Sequence, residues 1–68
     1  MPTIHVELFE GRSVEVKRAL AQELTAACVR VLGGSAAGVD VIFSDVARHD
    51  WATGGVLWSE MPPPPGST

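Results

Sequence analysis

The chain has 68 residues, 46% hydrophobic and 19% charged, which is material for one small globular domain and not for a disordered segment. Five Lys and Arg against eight Asp and Glu give a net charge of −3 with no basic stripe, which argues against nucleic-acid binding. The longest apolar run falls far short of the roughly 20 residues a membrane helix needs.

Small size sets a further bound. A domain near this length buries only about 60% of the surface its unfolded chain exposes. Such a chain needs a disulfide, a metal or a partner subunit. The single cysteine, Cys28, excludes an internal disulfide, and no Cys/His pair has the spacing of a structural zinc site. Oligomerisation is the remaining route. No charged and apolar leader pattern opens the sequence, so the expectation is a cytoplasmic protein.

From Thr3 to Phe9 the residues alternate, with Ile4, Val6 and Leu8 on one face and His5, Glu7 and Phe9 on the other, which predicts a strand. Glu10-Gly11-Arg12-Ser13 breaks the pattern. Ser13 is a helix cap with Glu15 in the first turn, and the period then changes to that of a helix from Val14 to Leu32. Val16, Leu20, Leu24, Ala27 and Val31 make its apolar stripe, with Lys17, Gln22 and Arg30 away from it. Gly33-Gly34 ends the helix. Ser35 to Gly38 is a connection, and Val39 to Asp45 alternates as a second strand. Two strands joined by such a helix form a β-α-β unit with parallel strands.

Val46 to Asp50 reads as polar loop or a short helical turn. Gly54-Gly55, between Trp51-Ala52-Thr53 and Val56-Leu57-Trp58, predicts a tight hairpin. Residues 2–60 thus form one α/β domain, and the proline run from Met61 to Thr68 reads as a disordered tail. The helix covers one face of the two-stranded sheet. The other carries Phe9 and Ile42, and parallel sheets are normally covered on both faces, so a second copy is expected to complete the core.

Few residues suit chemistry. Pro2 follows Met1, and removal of Met1 leaves a secondary amine fixed to a strand end. Ordinary chain amines titrate near pH 8; an apolar pocket or a nearby arginine moves that value toward neutrality, where a base serves proton transfer well. Arg12 can hold a carboxylate through two parallel hydrogen bonds. Trp51 can wall a pocket or pack an interface, and Trp58 reads rather as interface packing. His5 faces outward with no evident partner, and the side chains of His49 and Asp50 should diverge, so both histidines read as surface residues. Cys28, one position beyond the apolar stripe, reads as a small buried or half-buried residue and not as a nucleophile.

Pro2 opening an alternating strand, then Leu8-Phe9-Glu10-Gly11-Arg12-Ser13, an amphipathic helix, a second strand and Trp51-Ala52-Thr53-Gly54-Gly55 together resemble the 4-oxalocrotonate tautomerase family of the tautomerase superfamily. The resemblance covers residues 2–60. It implies a metal-free, cofactor-free keto–enol tautomerase acting on a small 2-hydroxy-dienoate or α-keto acid. Pro2 is then the general base, Arg12 the carboxylate-binding residue and Trp51 the pocket wall. It also implies a homo-oligomer, commonly a hexamer built as a trimer of dimers, with sites near subunit boundaries.

One position departs from the family pattern. Where a second arginine is expected near the start of the second strand, this chain has Asp40. Arg48 is a candidate to supply the missing charge from another direction. Two competitors stay open: a superfamily hydratase or dehalogenase using a protonated proline as acid, and a non-enzymatic oligomer of the same fold.

Overall fold

The computed structural model describes residues 2–61. β1 spans Thr3–Phe9, α1 Val14–Leu32, β2 Asp40–Val46, β3 Ala52–Thr53 and β4 Val56–Leu57. Single 3-10 turns at Ala36–Gly38, Arg48–Asp50 and Trp58–Glu60 link them. The expected proline-rich tail lies, from residue 62 onward, outside the described residues.

β1 and β2 pair in parallel, from Thr3 opposite Asp40 to Phe9 opposite Val46, and β3 and β4 form an antiparallel hairpin. The architecture is the expected α/β one, a β-α-β unit followed by a short hairpin. β2 differs from expectation by one residue at each end. Val39 donates its amide to Ala36 O at 3.1 Å and so belongs to the preceding turn, while Glu10 N–H donates to Val46 O at 3.0 Å and extends the ladder at the far end.

Local chemistry explains the helix ends. Ser13 is extended, and its hydroxyl accepts from the Val16 amide at 3.2 Å, satisfying one of the first-turn donors. At the other end Gly33 donates its amide to Val29 O.

The face that α1 turns to the sheet is not quite the apolar stripe of the sequence. Leu24 and Ala27 are half-buried as expected, but Val16 and Leu20 are exposed and Val31 is 76% exposed. Lys17, expected to point away, reaches across the sheet to Asp45 on β2 at 2.8 Å. A sheet two strands wide covers only a narrow strip of helix. The Lys17 side chain is three-quarters buried there while its ammonium meets the carboxylate.

No described residue is fully buried, and Ile42, on the sheet face opposite α1, is 50% exposed. Among the described residues no helix is long and apolar enough to cross a membrane. A fold of this kind keeps its shape only if its open faces are covered. Sedimentation at micromolar concentration is therefore expected to give a mass several times the 7.2 kDa of one chain. Ile42→Lys, which puts a charge on the open sheet face, is expected to lower that mass. A folded wild-type monomer would contradict the packing argument.

Candidate active site

The passage from β1 into α1 is shaped by one glycine. Gly11 has φ 111°, a backbone conformation that side-chain-bearing residues adopt only with strain. It turns the chain so that Arg12 stands between the strand end and the helix cap. Arg12 and Phe9 then line one hollow of about 420 Å³, together with Glu10, Ser13, Val16 and Arg48.

Phe9 is the centre of this end of the molecule. Trp51 packs against its ring at 4.7 Å between centroids and Trp58 at 5.3 Å, both tilted. The Arg48 guanidinium lies 4.3 Å from the centroid of the same ring, within the range of a cation–π contact. The hairpin carries the tryptophans there because Gly54 and Gly55, with φ 61° and 83°, make the two-residue turn that a tight hairpin needs. Two hydrogen bonds hold it closed: Trp58 N–H to Trp51 O at 2.8 Å, and the Trp58 indole N–H to Thr53 Oγ1 at 2.9 Å.

Pro2 lies at the opposite end of β1. It borders a separate cleft of about 220 Å³ with Gly33, Gly34, Ser35, Gly38 and Val39. Asp40 is its neighbour across the ladder, donating its amide to Pro2 O at 3.0 Å. Seven steps of strand at about 3.3 Å each put about 23 Å between Pro2 and Phe9. That is more than a small carboxylic acid spans.

Of the residues expected to form the site, the fold thus brings Arg12 and Arg48 to one hollow and sets Trp51 behind it through Phe9. Trp51 also lines a neighbouring hollow with Glu7, Val46, Asp50 and Ala52. Pro2 joins neither within one chain. His5 has a partner after all: its Nε2 is 2.7 Å from Ser44 Oγ, because β1 and β2 in register place both on the open sheet face. The side chains of His49 and Asp50 also come together, at 3.6 Å, where the 3-10 turn draws neighbouring side chains closer than an extended loop does; both are largely exposed. Cys28 is a half-buried free thiol. Phe9 is the member that sequence reasoning passed over. Its signal was position: the last residue of an alternating strand, directly before Glu10-Gly11-Arg12.

Residues 2–61 match the family model described as tautomerase enzyme. The chain belongs to the tautomerase family. It is 38% identical over 65 residues to a probable tautomerase of Ralstonia nicotianae, covering 96% of this chain and all of that one. It is 36% identical over 61 residues to the 2-hydroxymuconate tautomerase of Comamonas testosteroni, covering 90% of this chain and 97% of that one. Among solved structures it resembles a 4-oxalocrotonate tautomerase homologue with a TM-score of 0.82 and 43% identity, over 93% of this chain and all of that chain. It also resembles a heterohexameric 4-oxalocrotonate tautomerase of Chloroflexus aurantiacus, with a TM-score of 0.84 and 32% identity, over 91% of this chain and all of that chain. Membership of this family supports a tautomerase-type isomerase.

In this family member the aromatic cluster gives a stability prediction. Aromatic pairs contribute about 0.5–1.5 kcal/mol each beyond the area they bury. Phe9→Leu keeps an apolar side chain but removes both ring pairs, so urea unfolding at equal protein concentration should show a loss of about 1–3 kcal/mol. An unchanged midpoint would mean that Phe9 does not hold the hairpin against β1.

Proposed function

We propose that the protein is a cofactor-independent keto–enol tautomerase, working as a homo-oligomer, in which Pro2 freed of Met1 is the general base. Its substrate is a small 2-hydroxy-dienoate or α-keto acid. The observation that carries this is the hollow that Arg12 and Arg48 line together, with Arg48 over the Phe9 ring, an anion site that is bordered by Glu10 and lacks the proline amine. Pro2 stands elsewhere as a base without an anion site. Each half is incomplete, and a second copy laid against the first supplies what is missing.

The chemistry then needs only this chain's side chains. The neutral proline nitrogen takes the hydroxyl proton of the enol. The C–O bond gains double-bond character as the adjacent C=C electrons shift, and the ammonium returns the proton to carbon. No electrons leave the substrate, so the step is an isomerisation. Arg12 holds the carboxylate through two parallel hydrogen bonds. Trp51 and Phe9 keep water off the reacting face, which disfavours the ammonium and strengthens the ion pair. The apolar area left open in one chain and the heterohexameric assembly of the Chloroflexus relative support an oligomer, of which a hexamer is the form we propose.

Asp40 favours a second chemistry. A carboxylate beside the amine stabilises its protonated form, which suits a hydratase or dehalogenase with Pro2 as acid. The groups bordering Pro2 are Gly33, Gly34, Ser35, Gly38 and Val39, none of them ionisable, and Asp40 is the charged residue that a backbone hydrogen bond ties to it. In the assembly Arg12 and Arg48 of the facing copy bring two positive charges against that one negative charge. The balance favours the free amine.

Activity therefore depends on the state of one nitrogen. A form retaining Met1, confirmed by intact mass, has a tertiary amide there and should not ketonise an enol pyruvate. Pro2→Ala keeps an amine but frees it from the ring, and should lose activity by about 10²–10⁴-fold, the usual contribution of a general base. The kcat/KM profile of the processed enzyme should rise with pH along a limb centred below the roughly 8 of an ordinary chain terminus. Equal rates for the processed and Met1-retaining forms would dismiss the mechanism. A limb that falls with pH would assign Pro2 the role of acid.

A further inference from the structure

The two halves of the site carry opposite charge. At the Phe9 end, Arg12 and Arg48 share one hollow, and neither has a carboxylate oxygen within salt-bridge distance among the described residues, where the pairs are Lys17 with Asp45 and His49 with Asp50. Glu10 borders the same hollow and pairs with neither guanidinium. The Phe9 ring draws the Arg48 guanidinium to 4.3 Å from its centroid, and none of the side-chain hydrogen bonds among the described residues uses the Arg48 N–H groups. Two sets of unengaged donors therefore surround one space. At the Pro2 end stands Asp40, exposed and bonded through its amide to Pro2 O. The C-terminal end of α1 closes the same cleft through Gly33 and Gly34, and helix C-termini carry partial negative charge.

We propose that Arg48 is the second oxygen-binding residue of the site, and that with Asp40 it restricts the substrate to acids whose negative charge lies entirely at one end. This rests on the composite tautomerase site of the preceding subsection. A 2-hydroxy-alkenoate has its carboxylate on C1 and its reacting oxygen on C2. When the hydroxyl proton leaves, charge develops on the C2 oxygen directly beside the carboxylate. Arg12 takes the carboxylate and Arg48 the C2 oxygen, where its donors meet charge that is largest in the transition state. The rest of the substrate runs toward Pro2. A neutral chain or aromatic ring is accepted there, whereas a second carboxylate meets Asp40 and the helix end. The preferred substrate class is thus a monocarboxylic enol pyruvate with an uncharged remainder.

The test uses phenylenolpyruvate, with one carboxylate, and 2-hydroxymuconate, with a carboxylate at each end, on the processed enzyme and its variants. The wild type is expected to give the higher kcat/KM with phenylenolpyruvate. Arg48→Gln should lower kcat for both acids by about 10²-fold, in the manner of a lost oxyanion donor, with KM changing less. Arg48→Lys keeps the charge and should recover part of that loss. Asp40→Asn should raise kcat/KM for the dicarboxylate at least about tenfold relative to the monocarboxylate. It should also move the rising limb of the pH profile to lower pH, since removing the anion destabilises the ammonium. Circular dichroism and sedimentation mass confirm that each variant folds and assembles. If Arg48→Gln keeps kcat within twofold while Pro2→Ala and Arg12→Gln disable the enzyme, Arg48 is not in the site and the proposal falls, with the tautomerase assignment intact. An unchanged ratio of the two substrates in Asp40→Asn removes the charge restriction. Failure of the wild type to turn over either acid would take away the tautomerase assignment and this proposal together.

Discussion

A two-stranded parallel sheet with a single helix on one face leaves most of its other face to water: within residues 2–61 only the Phe9 end is covered, by Trp51 and Trp58, while Ile42 is 50% exposed. The strands can satisfy each other's backbone groups, yet no side chain is fully buried. The free-energy gain from removing apolar surface from water is therefore small for one chain, at about 25 cal/mol per Å² buried, against a backbone entropy cost of about 1–2 kcal/mol per ordered residue. Completion of the core must come from other copies. The same constraint governs the chemistry we propose, because β1 keeps Pro2 and the Arg12–Arg48 hollow at opposite ends of its length. An assembly that covers the open face is also the means by which the two halves can meet.

Phe9 ties the fold to the site. Its backbone ends the parallel ladder opposite Val46, and its ring receives Trp51, Trp58 and Arg48. The hairpin buries little area of its own, so its position over β1 depends on these ring contacts and on the two hydrogen bonds from Trp58. Gly11 acts on the same region through the backbone, setting where Arg12 emerges. A substitution at either position therefore changes both stability and the shape of the hollow.

Most of the fold was legible because its elements are short and regularly patterned. The alternation of β1, the Ser13 cap and the Gly54-Gly55 turn each have a local physical cause that needs no knowledge of the rest of the chain. The face of α1 was harder to read. Val16, Leu20 and Val31 look like core on a helical wheel, but in one chain they lie exposed beside a narrow sheet, and Lys17 takes an inner position through its ion pair with Asp45. Periodicity identifies apolar residues without saying which neighbour covers them. The pairing of His5 with Ser44 was likewise hidden, since it depends on the register of strands 39 positions apart. Within the site, Arg12 was visible from its place after Glu10-Gly11. The approach of Arg48 to it, and the part of Phe9 in that approach, arise only when the chain after β2 turns back over β1.

The central claim is that one working site draws Pro2 from one copy and Arg12 from another. Its most direct measurement is subunit complementation. Pro2→Ala and Arg12→Ala chains, each nearly inactive alone, are unfolded together, refolded as mixed assemblies and assayed on phenylenolpyruvate. With random pairing, a composite site leaves about a quarter of the sites with both an intact Pro2 and an intact Arg12, and activity should return toward about a quarter of the wild-type value. If mixed assemblies of the right mass stay as inactive as the two parents, both residues act from the same chain and the account of the site is wrong.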